Sequence, residues 1–277
     1  MSTPLTKPED DGLIIPEVGP WSRDKHHFLA RYINAFTTAM KGKKWSGLHY
    51  VDLFAGAGIE RIKDTQELNW GSPLVAAQAE PPFTQLHLCE LNGERRLALE
   101  RRLRTIRPRQ NDQVLQGNAN QLVSDIVVSI PPRSLCLAFL DPYGLHLDYE
   151  TLRCLAAVRS DLIIFFPDRL DALRNYRTYY WDDPESNLDA VLGPESNWRD
   201  VLGNAPDSRK VQLLRDVYLE QIKKLGYTEF EWEPIPTSGT RLYLLLFCSK
   251  ARVARDIWRR IATSKPGGQR TWDFGDL

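Results

Sequence analysis

Four groups of residues that could do chemistry each follow an apolar run. Residues 52–58, DLFAGAG, contain two glycines with GxG spacing, which lets a backbone approach a ligand closely and take positive φ. Glu90 follows the run QLHLC, residues 117–119 (GNA) follow QVLQ, and residues 141–144 (DPYG) follow LAFL. Together they offer carboxylates, an amide and open backbone, which are groups that can recognise a polar ligand.

All four groups are predicted to lie at the carboxyl ends of buried β-strands. The strand-like runs are LHYVDLF, QLHLCEL (85–91), QVLQGN (113–118) and LCLAFLD (135–141), with DLIIFFP (161–167) as a fifth. Helical segments separate them at roughly 25–35 residues per unit, which indicates an α/β fold with a mostly parallel sheet covered by helices on both faces. Because ligands bind at the carboxyl ends of strands in such sheets, the four groups are expected to share one edge.

The rest of the chain is predicted to complete one domain. Residues 1–21, rich in proline, glycine and acidic groups, are expected to form a flexible arm, and residues 22–277 the domain. A helix capped by Ser22 precedes the first strand, and residues 59–71 are expected to form a polar loop. A helical insert is predicted at about 168–210, where PESNLDAVLG is repeated as PESNWRDVLG. The runs FEWEPI and TRLYLLLFCSK bring the predicted sheet to seven strands.

The group at residues 141–144 has what an amine acceptor needs. The carboxylate of Asp141 and the carbonyl of Pro142 could accept the hydrogens of an amine and aim its lone pair, and the ring of Tyr143 could stack on a base. The alternative is a type I turn with proline at its second position and glycine at its fourth. We favour the catalytic interpretation because the group stands at the fourth of four strand ends.

Glu90 and Asn118 each have a binding and a capping interpretation. Glu90 lies 32 residues after Gly58 and could accept both hydroxyls of a ribose, or it could cap a helix. Asn118 could meet the edge of an adenine, or it could be an N-cap. A ribose-binding acid without a phosphate cradle suits a nucleoside that carries no phosphates, and S-adenosylmethionine is the common ligand of this kind.

Several other chemistries are disfavoured. Position 61 is arginine, so the GxG does not continue as the GxxG that leads into a helix in nicotinamide dehydrogenases, and the GxxxxGK[ST] of P-loop NTPases is absent. A cytosine-C5 mechanism needs a nucleophilic cysteine after the fourth strand, but Cys136 lies inside that strand and Cys154 in the next helix. No cysteine pair has CxxC spacing, so no metal site is predicted.

The composition limits which classes of protein the chain can belong to. The 277 residues carry 36 Lys+Arg and 36 Asp+Glu, so the net charge provides no global attraction to nucleic acid. No apolar run is long enough to span a membrane, and the amino terminus has no signal-peptide pattern. With four scattered cysteines, the sequence predicts a soluble cytoplasmic protein with reduced thiols and no membrane partner.

Local basic clusters are candidate contacts for nucleic acid. Just past the fifth strand, arginines are interleaved with aromatic residues, which suits phosphate contact combined with base stacking. The substrate-binding residues predicted there are Arg169, Arg174, Tyr176 and Arg177. Two further arginine clusters lie in the helix after Glu90 and in the last helix, and for these we favour solvated helical faces with salt bridges.

These motifs resemble those of known methyltransferases. The form D-x-F-x-G-x-G at residues 52–58 resembles the nucleic-acid-modifying branch of class I S-adenosylmethionine-dependent methyltransferases. Residues 141–144 resemble the D-P-P-Y motif of amino-methyltransferases with one proline missing. The set KHHFLARYI, YVDLFAGAG, GSPL, FLDPYG and LIIFFP is similar to the three-Cys-motif partner protein family, over roughly residues 22–250.

The resemblance implies a cofactor, S-adenosylmethionine, and a role for each matching residue. The residues that would line its methionine part are Asp52, Phe54, Ala55, Gly56 and Gly58. Glu90 would hold the ribose, Asn118 and Ala119 would face the adenine, and Lys25 or His26 would contact the cofactor carboxylate. The implied activity is methyl transfer to an amine of a nucleic acid. The alternative is a methyltransferase-fold partner of a three-cysteine-motif protein, without catalysis or with a different activity, in defence against phage or mobile elements.

Overall fold

A computed structural model describes residues 7–166, 180–183, 185–235 and 243–263. Its strands are β1 (Glu17–Val18), β2 (Leu48–Asp52), β3 (Ile59–Ile62), β4 (Leu68–Trp70), β5 (Gln85–Glu90), β6 (Gln113–Gln116), β7 (Leu135–Leu140), β8 (Ser160–Phe166), β9 (Glu229–Ile235) and β10 (Tyr243–Ser249). Its helices are α1 (Trp21–Met40), α2 (Ser72–Ala77), α3 (Gly93–Ile106), α4 (Ala119–Ser129), α5 (Tyr149–Ala156), α6 (Asn187–Leu192), α7 (Trp198–Gly203), α8 (Asp207–Lys224) and α9 (Arg252–Ala262).

Seven strands form the central sheet in the order β6-β5-β2-β7-β8-β10-β9. The first five of these are parallel neighbours, and β10 pairs antiparallel with both β8 and β9. Because β2 lies in the middle of these five parallel strands, Val51 pairs with His87 of β5 on one side and with Ala138 of β7 on the other. The predicted α/β fold with a mostly parallel seven-stranded sheet is confirmed.

Helices cover both faces of this sheet. All six residues of β7 are buried, and they alternate between two cores because successive side chains of a strand point to opposite faces. Leu137 and Phe139 pack with α1, α2, α3 and α9, whereas Ala138 and Leu140 pack with α4 to α8. Burial on both faces explains why the central strands are continuous apolar runs in the sequence.

A second, three-stranded sheet lies beside the glycine-containing loop, in the order β1-β3-β4. β3 and β4 form an antiparallel hairpin, and β1 pairs with β3 in parallel. The prediction that residues 59–71 form a polar loop is therefore wrong. Ile59 and Ile62 are buried and anchor the hairpin, although the residues around them are mostly polar.

Part of the predicted flexible arm packs against the domain. The buried guanidinium of Arg102 in α3 donates hydrogen bonds to both carboxylate oxygens of Asp11, at 2.6 and 2.7 Å, and to the carbonyl of Ile14. The same guanidinium donates to the carbonyl of Ala57, at 2.7 Å. Arg102 therefore joins residues 11–14 to the glycine-containing loop.

The repeated decapeptide forms α6 and α7 in the region of the predicted insert. Ser186 caps α6, and Gly193 ends it with a φ of +79°. In the second copy Trp198 is buried, and its indole nitrogen donates to Asp189 of the first copy, at 2.8 Å. The two copies therefore pack on each other. In the part of the chain that the structure describes, no helix is both long and apolar enough to cross a membrane.

Candidate active site

The four predicted groups meet at the carboxyl edge of the central sheet, because β2, β5, β6 and β7 are parallel neighbours. Hydrogen bonds join three of the groups directly: the Gly56 amide donates to the Glu90 carboxylate, at 2.8 Å, and the Gly117 amide donates to the Glu90 carbonyl, at 3.2 Å. The side chain of Asn120 donates to the carbonyl of His146, at 3.1 Å, which ties the third group to the loop after β7. The four groups therefore lie side by side along one edge of the sheet.

Glu90 holds the glycine loop and retains acceptor capacity. One carboxylate oxygen accepts from the Gly56 amide, and the other accepts from the Asn92 amide at 2.8 Å. A carboxylate has about four acceptor positions, so two remain for a ligand. The residue is 8% exposed at the sheet edge, where those positions can meet the hydroxyls of a bound molecule.

The two glycines of the loop serve different purposes. Both take positive φ, +64° at Gly56 and +87° at Gly58. A Cβ atom at Gly58 would come within 2.9 Å of Leu74 Cδ1 and 3.0 Å of Leu99 Cδ1, whereas a Cβ at Gly56 would meet nothing within 4 Å. Gly58 thus allows α2 and α3 to pack closely, and Gly56 borders open space in which a ligand can lie.

This difference predicts unequal costs of substitution. Alanine at either position must adopt the left-handed backbone conformation, which lowers the free energy of unfolding by about 1 kcal/mol. Only Gly58→Ala also overpacks the core, which lowers it further, by about 1–3 kcal/mol. We expect urea denaturation to show a larger drop in the free energy of unfolding for Gly58→Ala than for Gly56→Ala. Equal losses would contradict this assignment of the two glycines.

Asp52 lies beneath the loop and is fully buried. It accepts hydrogen bonds from the Tyr50 hydroxyl and the Phe54 amide, each at 3.2 Å, and from Ser72. Burial raises the pKa of the Asp52 carboxyl to about 7, against the opposing effect of these hydrogen bonds, and the charge of Asp141 raises it further. Asp52 therefore supports the glycine-containing loop through these hydrogen bonds. Phe54 and Ala55 come after Asp52 in the chain and belong to the loop itself.

Lys25 of α1 forms an ion pair with Asp141, the residue that follows β7. The Lys25 side chain is 8% exposed and that of Asp141 20% exposed. The ammonium also lies 4.5 Å from the centroid of the Phe165 ring. The sequence predicted separate roles for these two residues, in cofactor binding and in catalysis, and the structure places them in direct contact.

His26 belongs to a buried network with the hairpin. Its Nδ1 lies 3.3 Å from the side-chain amide of Asn69, and its ring also bonds the backbone of Trp70. Burial lowers the pKa of His26 to about 3, helped by the charge of Lys25. The ring is therefore neutral and turned toward the hairpin, so of the two candidates for an anionic ligand Lys25 is the cationic one.

Glu60 and Ser22 complete this network, and neither residue was predicted to belong to it. The Ser22 hydroxyl donates to the Glu60 carboxylate, and burial raises the pKa of Glu60. Ser22 lies inside the first turn of α1 and does not cap it, since the helix begins at Trp21. Glu60 was missed because its stretch was interpreted as a loop; the buried pair Ile59 and Ile62 was the available signal.

Residues 142 and 143 have opposite environments. Pro142 is buried, while Tyr143 is 92% exposed, with its ring directed into solvent. Gly144 takes a φ of +72°. The exposed ring at the edge of the site is free to contact a ligand that approaches Asp141.

Asn118 is the N-cap of α4. Its side-chain oxygen accepts from the Asn120 amide at 2.9 Å, so the capping interpretation holds, and Ala119 is buried beside it. The side-chain amide nitrogen of Asn118 takes no part in this capping hydrogen bond. A contact of Asn118 with an adenine would use that nitrogen or the second lone pair of the oxygen.

The arginine clusters divide into structural and exposed members. Arg102 and Arg107 are buried and pair with Asp11 and Asp112, and Arg255 and Arg259 pair with Glu229 and Glu231. All four form salt bridges as predicted, but Arg102 and Arg107 are buried, so the prediction of a solvated face is wrong for these two. The residues predicted to bind substrate, Arg169, Arg174, Tyr176 and Arg177, lie outside the described residues.

Comparison with known proteins defines the fold class. No protein-family model matches the chain, and no curated protein matches its sequence. Among solved structures, the chain is similar to LPL1258 from Legionella pneumophila, with a TM-score of 0.51 and 15% identity over 90% of this chain and 94% of that one. It is also similar to Trm1 from Pyrococcus horikoshii in complex with S-adenosyl-L-methionine, with a TM-score of 0.50 and 9% identity over 94% of this chain and 65% of that one.

The fold is the Rossmann-like fold of class I S-adenosylmethionine-dependent methyltransferases. At these identities the comparison establishes the fold, and the chemistry depends on the residues at the sheet edge.

Proposed function

We propose that this protein is an S-adenosylmethionine-dependent methyltransferase that acts on an amine of a nucleic acid. The observation that carries the proposal is the meeting of three features at one sheet edge: an open glycine loop, a carboxylate with free acceptor positions at Glu90, and Asp141 beside the next strand end. When bound, S-adenosylmethionine supplies a methyl group on a positively charged sulfur.

The residues present fit that cofactor. The two remaining acceptor positions of Glu90 suit the two hydroxyls of a ribose. The open side of Gly56 leaves room for the methionine part, and Lys25 supplies a buried positive charge for its carboxylate. The absence of a GxGxxG sequence argues against a dinucleotide, because its pyrophosphate needs that cradle.

Asp141 and its neighbours suit an amine as the methyl acceptor. A carboxylate and a backbone carbonyl, from Asp141 and Pro142, can hold the two hydrogens of an amine and so aim its lone pair. The exposed ring of Tyr143 is available to stack on a base that has left its helix. Nucleic acid as the substrate is supported by the arginines and tyrosines that follow β8, which ends at this same edge.

Calorimetry tests the choice of cofactor. We expect S-adenosylmethionine and S-adenosylhomocysteine to bind with one-to-one stoichiometry, and NAD to give no heat of binding because no pyrophosphate cradle is present. Transfer of a labelled methyl group to DNA and to RNA then tests the activity and identifies the acceptor. Binding of NAD without binding of S-adenosylmethionine would overturn the proposal.

A second candidate is a methyltransferase-fold partner of a three-cysteine-motif protein. The similarity of KHHFLARYI, GSPL and FLDPYG to that partner family supports it. So does the ion pair that engages Asp141, the predicted catalytic carboxylate. Binding of cofactor without transfer to either nucleic acid, together with a stable complex with that protein in gel filtration, would favour this candidate. Four free cysteines fit the cytoplasmic location that we propose in both cases.

A further inference from the structure

The ion pair between Lys25 and Asp141 joins two residues that the proposed reaction needs in different places. Lys25 is the buried cation that suits a ligand carboxylate, and Asp141 is the carboxylate that suits the amine. Contact between them satisfies both charges within the protein. Separating a nearly buried ion pair is costly unless each charge gains another partner.

We propose that Lys25 exchanges partners during the reaction cycle: it holds Asp141 in the cofactor-free protein, and it turns to the cofactor carboxylate when the cofactor binds. The exchange releases Asp141 to accept the hydrogens of the amine. This inference rests on the proposed function and adds a device that sets the order of binding.

The surroundings of Lys25 allow such an exchange. An ammonium group has three donors, and Asp141 is one acceptor, so an incoming carboxylate can bind before the first bond breaks. The Phe165 ring, 4.5 Å from the ammonium, is a partner of the cation in addition to Asp141. Lys25 therefore does not need to pass through an unpaired, buried state.

Among the residues that the structure describes, the other charged groups nearby do not take the place of Lys25. Glu60 and Asp52 are carboxyls whose pKa values are raised by burial, and His26 is held neutral. The guanidinium of Arg102 lies behind the glycine loop and is committed to Asp11 and to backbone carbonyls. A carboxylate that enters at this edge therefore meets Lys25.

The exchange makes binding ordered. While Asp141 is paired with Lys25, the ammonium neutralises its negative charge, and the carboxylate is a weaker acceptor for the amine. Once the cofactor carboxylate has drawn Lys25 away, Asp141 is available. The cofactor is expected to bind first, so that the amine is held only when a methyl group is present.

Two ligands that differ in their amino-acid part test this inference by calorimetry. S-adenosylhomocysteine carries the carboxylate, and 5′-methylthioadenosine has the same nucleoside without it. Because Asp141→Asn removes the competitor for Lys25, we expect this variant to bind S-adenosylhomocysteine about tenfold more tightly and methylthioadenosine with unchanged affinity. Lys25→Met should weaken S-adenosylhomocysteine about tenfold or more and leave methylthioadenosine within about twofold.

The controls distinguish failure of the exchange from failure of the proposed function. Asp125→Asn, an exposed change in α4, should alter neither affinity. If Asp141→Asn binds S-adenosylhomocysteine no more tightly than the natural protein, Lys25 does not exchange and the inference is overturned. Should the natural protein bind neither ligand, the proposed function fails and the exchange with it. Retained affinity of Lys25→Met for methylthioadenosine shows that this variant is folded.

Discussion

Asp141→Asn is expected to lower the rate of methyl transfer by about 10²–10³-fold at saturating cofactor, which is the usual contribution of a positioned carboxylate. The amide that replaces it has no charge, one oxygen acceptor and an amino group with two N–H donors. The amine hydrogen then meets an uncharged and weaker acceptor, and an amide turned with its amino group toward the amine would direct the lone pair away from the methyl group. Single-turnover transfer of a labelled methyl group, with the acceptor found in the assays above, measures the loss.

Two measurements on Asp141→Asn together distinguish a catalytic effect from misfolding. The variant that loses transfer should bind S-adenosylhomocysteine more tightly, because Lys25 is then free for the cofactor. A misfolded protein would lose both properties, so tighter binding with slower chemistry identifies a catalytic effect. Asp125→Asn should transfer at the natural rate. Unchanged transfer by Asp141→Asn would show that the negative charge of Asp141 is not needed to orient the amine.

The central sheet and its edge could be predicted from sequence because local patterns determine them. Strands buried on both faces are continuous apolar runs, as in LCLAFL of β7, and parallel strands bring their carboxyl ends together. The contact between Glu90 and Gly56 follows from that arrangement, since β5 and β2 are neighbours. No single one of these motifs would have defined the site.

The contacts that could not be predicted join residues far apart in the chain. Lys25 and Asp141 are 116 residues apart, and Asp11 and Arg102 are 91 apart. A charged residue at a helix start has the same local pattern whether it faces solvent or a buried partner. The β3–β4 hairpin was missed for a related reason: its mostly polar residues are ordered by pairing with β1 and by packing of Ile59 and Ile62.

Glu90→Gln is expected to have two separable effects, because the carboxylate supports the loop and is also placed to bind the ribose. An amide has a single oxygen, so either the Gly56 amide or the Asn92 amide loses its acceptor and faces an amino group. A buried donor left without a partner costs about 1–3 kcal/mol, which should appear as a lower free energy of unfolding in urea without any ligand. One of the two acceptor positions left for the ribose hydroxyls is lost as well.

The ribose role is tested with 5′-methylthioadenosine, which contains the ribose and lacks the amino-acid part. We expect Glu90→Gln to weaken its binding by about tenfold or more, because a site built for two hydroxyls then offers one acceptor fewer. Glu94→Gln is the matched control, since Glu94 is exposed in the first turn of α3 and should change stability by no more than about 0.5 kcal/mol. A less stable Glu90→Gln protein that binds methylthioadenosine with natural affinity would limit Glu90 to supporting the loop.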